Sequence, residues 1–201
     1  MPRFLDQQCA CTIVSECAAR SSIAKLLVRL LRHHGDTLSH SVRVADFATD
    51  LALECCLPSN DVALVAQAAL LHDIGKLQVP LTILDKRAAL TEAERQLIIQ
   101  HPRFGFDLLA ATEFNGVREI VVAHHEWKSH DPYPRTHAAH PREAASGLVL
   151  LQQIVAIADT IDALLSGRPY KPSYSIAEVR QLLAEHFAGD PALLERTLQR
   201  L

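Results

Sequence analysis

The chain has 201 residues, of which 49% are hydrophobic and 21% charged, enough apolar material for one sizeable core, which excludes a disordered tract and a miniprotein. Its 20 Lys and Arg against 23 Asp and Glu leave a net charge of -3 with no basic stripe, so binding to duplex nucleic acid is not expected. The apolar runs fall short of the roughly 20 residues of a membrane helix, and Met1-Pro2-Arg3 opens no signal-peptide core; no membrane partner is expected, and the expected location is cytoplasmic.

In chain order, residues 1–20 form a cysteine-bearing lead without a predicted element. Ile23, Leu26, Leu27, Leu30 and Leu31 then recur at helical spacing and predict an amphipathic helix over about 21–32, with Ser22 as its cap. Thr37 is placed to cap a second helix reaching about Cys55. Leu57-Pro58-Ser59-Asn60 separates it from a third, whose segment 62–71 is apolar on almost every face and suits the centre of a core. His72 and Asp73 end that helix.

A turn through Gly75 and Pro80 leads to Thr91 and Glu94, which have the spacing of a capping box and predict a long helix up to His101-Pro102, with more helix to about Thr112. Segment 117–123 is rich in β-branched residues but has no alternating partner strand, so it reads as helix. Residues 127–140 show no helical period and read as a long loop, the kind that usually carries function. Segment 145–165 is helical again, and Ser175 with Glu178 and Asp190 with Pro191 start two terminal helices. With aromatics at 5% and almost no alternation, the expected fold class is all-α.

The five cysteines, Cys9, Cys11, Cys17, Cys55 and Cys56, are odd in number and lack paired metal-ligand spacing, so they read as reduced thiols. Chemistry is carried instead by His40, the pair His72-Asp73, His101, the pair His124-His125, and Asp159, each at or beside an apolar helical segment. Asp159 interrupts an aliphatic run, where an ionised carboxylate needs a cation or a donor. Five imidazoles and two carboxylates exceed the needs of one tetrahedral ion and suit two octahedral ions sharing a bridging carboxylate. Mixed His and Asp ligation without thiolate favours Fe or Mn. Two such ions about 3.5–4 Å apart serve in-line displacement at phosphorus, which makes phosphoester hydrolysis the first reaction class.

HDIGK at His72 to Lys76, Val79-Pro80, Ile83-Leu84-Asp85-Lys86, Leu90-Thr91, Glu94, His101-Pro102, Gly105, HHE at His124 to Glu126, Asp159, and RPYK at Arg168 to Lys171 follow one another in this order. Together they resemble the HD-GYP family, a branch of the HD phosphohydrolases whose members are typically cyclic di-GMP phosphodiesterases. The resemblance runs from about Asp36 to Lys171. It implies an HD-domain helical bundle with extra C-terminal helices over residues 36–201, preceded by a helical lead over residues 1–35 packed on the core.

The resemblance also implies two divalent ions held by His40, His72, Asp73, His101, His124, His125 and Asp159, with Asp73 bridging; Asp36 stands where some members hold a third. Asp73 and Lys76 are the implied catalytic pair, and Lys76, Arg168, Lys171 and Tyr133 the implied substrate contacts. The implied reaction opens cyclic di-GMP to pGpG in second-messenger signalling, with a further cut to GMP left open. One alternative is an HD-type phosphohydrolase acting on another nucleotide. A second is a catalytically weak sensing or docking module that uses the 127–140 loop for protein partners. That loop departs from the family: Ser129-His130 replaces an Asp-Gly pair and Pro132 a glycine, while Tyr133-Pro134 remains, so the loop is expected to lose its positive-φ positions and take another path.

Overall fold

The helix predicted to be apolar on almost every face is the hub of the fold. A computed structural model describes residues 5–134, 147–166 and 173–201. In it α4 (Ser59–Leu71) buries Val62, Val65, Ala66, Ala68, Ala69, Leu70 and Leu71. It packs against α3 (Gly35–Glu54) and α9 (Leu148–Leu165), and these three helices contact one another pairwise. Small residues allow the approach: Ala45, Ala48 and Ala52 of α3 are fully buried. The described residues are helical throughout, apart from turns and one isolated β-bridge, so the architecture is an all-α bundle.

Two helices precede α3, namely α1 (Leu5–Ala19) and α2 (Ser21–His33), and both lie on α3 and α4. The lead therefore holds a helix that the sequence reading lacked. Its buried side chains Ala10, Val14 and Cys17 have i, i+4, i+7 spacing, a signal that emerges only when cysteine is counted as a small apolar residue. Ser22 does not cap α2; the helix begins earlier, after Arg20, which makes no side-chain cap bond. Likewise the cap of α3 is His34, whose Nδ1 accepts from the Thr37 backbone N–H at 3.2 Å, so Thr37 lies inside the helix.

After α4 come a 3₁₀ turn (Ile74–Gln78), the short α5 (Leu81–Leu84), α6 (Glu92–Ile98), α7 (His101–Leu108), a second 3₁₀ turn (Thr112–Phe114) and α8 (Asn115–Val121). The capping box forms as expected: the Thr91 side chain accepts from Glu94 N–H, and Glu94 accepts from Thr91 N–H at 2.7 Å. The helix beyond it is shorter than expected and ends at Ile98. The chain breaks there and restarts at His101 with Pro102 in the first turn. At that position its missing N–H costs nothing, because the first N–H groups of a helix have no partner within it, whereas in the interior of one continuous helix it would break the ladder. Segment 117–123 is helical for the most part, as α8, despite its β-branched residues.

Helix α9 is 18 residues long and, by length and composition alone, apolar enough to cross a membrane. In this fold its aliphatic residues 154–158 lie in the core around Asp159. The chain ends in α10 (Ile176–His186) and α11 (Pro191–Arg200), started by a Ser175–Glu178 capping box and by an Asp190 side chain that accepts from Ala192 and Leu193 N–H.

Candidate metal centre

Five separate stretches of chain deliver the seven singled-out residues to one place. His40 comes from the second turn of α3, and His72 and Asp73 from the end of α4. His101 opens α7, His124 and His125 follow α8, and Asp159 sits midway along α9. His72, Asp73, His101 and His124 are all but fully buried, and Asp159 is buried with them. Three groupings have donor atoms all within 4.8 Å of one another: His40, His72 and Asp73; His72, His124 and Asp159; and His101, His124 and His125.

The orientation of the imidazoles carries the chemistry. His72, His101 and His124 each direct Nδ1 at the carbonyl three residues earlier, Ala69 at 2.8 Å, Ile98 at 2.8 Å and Val121 at 2.5 Å. A carbonyl only accepts, so Nδ1 carries the proton in each ring and Nε2 presents a lone pair. Those lone pairs converge: His101 Nε2 lies 3.1 Å from His124 Nε2 and 3.1 Å from Asp73 Oδ1. Burial pushes His101 and His124 below the ordinary histidine value, so no extra proton relieves this contact. Acceptors facing acceptors at such distances are unfavourable by themselves and favourable around a cation.

The carboxylates remain charged against the cost of burial. Burial alone would raise Asp73, but the Lys76 ammonium, 2.6 Å from Oδ2, and the surrounding histidines hold it well below the usual carboxylate range. Burial of Asp159 is likewise opposed by the hydrogen bond from His40 (3.0 Å) and by His125, so it too is held low.

His40 behaves differently from the other rings. It donates Nδ1–H to Asp162 at 2.7 Å, and those contacts to Asp159 and Asp162 outweigh burial and push it up to about 10. Arg43 in turn grips both Asp162 oxygens, at 2.7 and 2.9 Å. Asp162 and Arg43 were missed from sequence, although a signal existed. Asp162 stands three residues after Asp159 and Arg43 three after His40, the spacing that shares a helix face.

Lys128 is a further residue the sequence reading passed over. Its ammonium lies 3.0 Å from His125 Nδ1 and over the Tyr133 ring, and burial lowers it from the ordinary lysine value. Tyr133 is also part of the site, its ring 4.6 Å from that of His125. Asp36 lies one turn before His40 and takes no part in the three groupings. Arg168 and Lys171 fall outside the described residues.

The loop after His125 has one left-handed residue among those described, Asp131 with φ 52°, and aspartate is among the few residues that tolerate this. Asp131 pairs with Arg95 of α6, while Ser129 N–H donates to the His186 carbonyl at 2.9 Å and ties the loop to α10.

Comparison with known proteins gives the same picture from another side. The family profile described as HD domain matches residues 37–164. The chain is 33% identical over 160 residues to the cyclic di-GMP phosphodiesterase response regulator RpfG of Xanthomonas campestris pv. campestris, covering 78% of this chain and 41% of the relative. It is 35% identical over 191 residues to the cyclic di-GMP phosphodiesterase PA4108 of Pseudomonas aeruginosa (92% and 45%). It is 34% identical over 173 residues to the 3'3'-cGAMP-specific phosphodiesterase 3 of Vibrio cholerae (82% and 36%). The chain thus spans less than half the length of these curated relatives. The HD domain of the phosphodiesterase PgpH from L. monocytogenes, solved with cyclic-di-AMP, has the same fold, with a TM-score of 0.59 at 23% identity, covering 80% of each chain.

Proposed function

Because the chain belongs to the HD domain family, we propose that it is a metal-dependent phosphodiesterase of the HD-GYP branch that hydrolyses cyclic di-GMP to pGpG. Residues 36–201 form the catalytic unit in this reading, with the lead 1–35 packed on it, acting in the cytoplasm where its thiols stay reduced. The observation that carries the proposal is the set of proton-free Nε2 atoms turned toward one another and toward two ionised carboxylates. A docking module has no physical use for that arrangement.

The donor set fits two divalent ions. His40, His72, Asp73, His101, His124, His125 and Asp159 would hold them, with Asp73 between, since its two oxygens face His101 at 3.1 Å and His72 at 3.4 Å. All-nitrogen-and-oxygen ligation points to Fe or Mn. When bound, the ions lower the pKa of water and neutralise charge on phosphoryl oxygens.

The remaining work falls to side chains. Lys76, already against Asp73, turns its partly exposed ammonium to a non-bridging phosphate oxygen and offsets charge that builds up in the transition state. Asp162 and Arg43 fix the ring of His40. Tyr133 and Lys128 form the side of the site next to His125, where a phosphodiester meets a cation and a flat ring.

The test is elemental analysis together with a hydrolysis panel of cyclic di-GMP, 3'3'-cGAMP, cyclic-di-AMP and ppGpp. About two transition-metal ions per chain and turnover of cyclic di-GMP are expected, with His72→Ala and Asp73→Ala folded but inactive. Preferred turnover of another member of the panel would move the chain to the broader HD phosphohydrolase reading. Metal-loaded protein that binds a dinucleotide and cleaves nothing would leave the sensing module.

A further inference from the structure

Next to the centre, beyond Lys128, a cavity of about 270 Å³ opens between the loop that follows His125 and the end of α10. Trp127, Lys128 and His130 wall it on one side; Leu182, His186 and Phe187 wall it on the other. The two walls are fastened through the main chain: Ser129 N–H donates to the His186 carbonyl at 2.9 Å, Ala188 N–H to the Trp127 carbonyl at 3.1 Å, and Lys128 and Phe187 form an antiparallel bridge. The His130 and His186 rings meet edge to face, with centroids 5.6 Å apart. None of these residues belongs to the seven donors.

We propose that this cavity is a base subsite that takes one purine ring of the cyclic dinucleotide whose phosphodiester lies at the metal centre. The inference rests on the dinucleotide reading above and deepens it.

Three observations converge on that occupant. Pockets for drug-sized ligands run to about 300–1,000 Å³, so this one holds a single ring system and not a whole dinucleotide. Trp127 and Phe187 give it aromatic walls, and bases stack on such faces whatever their identity, while the imidazoles of His130 and His186 offer donors and acceptors for a heterocycle's edge. Finally, Lys128 belongs to both places. It lines the cavity, and its ammonium reaches His125, so a cation stands between the two places, where it can pair with the anionic link between base and reacting phosphate.

Trp127 is the only tryptophan, so its fluorescence reports the cavity directly. Titration of the metal-loaded protein with GMP should change the emission saturably, whereas ribose 5-phosphate, which has the phosphate but no base, should not. Leu182→Phe, which fills the cavity and keeps the probe, should weaken the GMP response about 10-fold.

In kinetics, the ratio of kcat/KM for cyclic di-GMP to that for bis(p-nitrophenyl) phosphate should fall about 10-fold in Trp127→Ala through KM, and recover in Trp127→Phe, since a stacked base is worth about that much. A GMP titration that leaves the emission unmoved, or an equal response to ribose 5-phosphate, overturns the subsite. So does a Trp127→Ala ratio equal to that of the wild type. If the wild type cleaves the simple diester and no dinucleotide, the function proposed above fails instead, and the GMP arm still decides whether a purine enters the cavity.

Discussion

Lys76 is the residue on which two effects meet, since its ammonium holds Asp73 ionised and, in the proposed reaction, would also pair with a phosphate oxygen. Removing it with Lys76→Ala should lower kcat by about 10²–10³-fold, the usual loss for one preorganised charge-stabilising donor; steady-state kinetics that show an unchanged kcat would remove it from the catalytic role. Asp162 acts at one remove. It fixes the His40 ring through Nδ1–H while Arg43 fixes Asp162 from behind, so Asp162→Asn should weaken metal binding by about 10–100-fold, as measured by competition with a coloured chelator. Equal affinity in the variant would mean that the His40 ring is positioned by α3 alone.

At the scale of elements, the centre depends on how closely the 3₁₀ turn after α4 approaches the start of α7. A Cβ on Gly75 would stand 1.9 Å from the His101 carbonyl oxygen and 2.5 Å from the Gly105 amide nitrogen. Both obstacles are backbone, so the turn and helix must part and His101 must leave Asp73. Gly75→Ala should therefore lower stability by about 1–3 kcal/mol and lose bound metal as well, to be read by thermal melting and elemental analysis on the same sample. A variant that melts normally and binds metal normally would show that the approach is not required.

The break between α6 and α7 serves the same end. One continuous helix through Pro102 would not let His101 begin a new helix beside Asp73, and the Ile98 carbonyl that orients its ring sits at the end of α6.

At the scale of the whole molecule, five stretches of chain converge on a buried cluster of donors, so a bound cation cross-links the bundle and its affinity adds to folding stability. Chelation should lower Tm, and Mn should restore it. The effect has a defined pH dependence. In the metal-free protein His40 is raised from 6.5 to about 10, so its stabilisation is fully present below pH 6.5 and fades as pH rises toward 10. Metal must also displace the proton that His40 holds at Nε2, which becomes easier over the same interval. The gap in Tm between metal-loaded and chelated protein should thus widen from pH 6.5 upward; a gap that narrows would contradict the ligand role of His40.

Much of this arrangement was legible in the linear chain. Imidazoles and a carboxylate embedded in aliphatic runs are costly unless they have partners, and that cost marked His72, His124 and Asp159. Helical periods gave α2, α4 and α9, and side-chain chemistry gave the capping boxes at Thr91 and Ser175. α1 stayed hidden because its stripe runs through a cysteine, and the end of α6 was read three residues late because only the proline at 102 marks it in the sequence.

Sequence by itself determined which residues are candidates for the chemistry and that helices would present them, because those properties are local to each side chain and its near neighbours. Tertiary structure decided which nitrogen of each ring faces inward, that Asp162 supports His40 from 122 residues away, and that a cavity lies beside Lys128. Each of these is a meeting of distant segments, set by how helices pack and by where a glycine lets two backbones touch, and no local pattern encodes such a meeting.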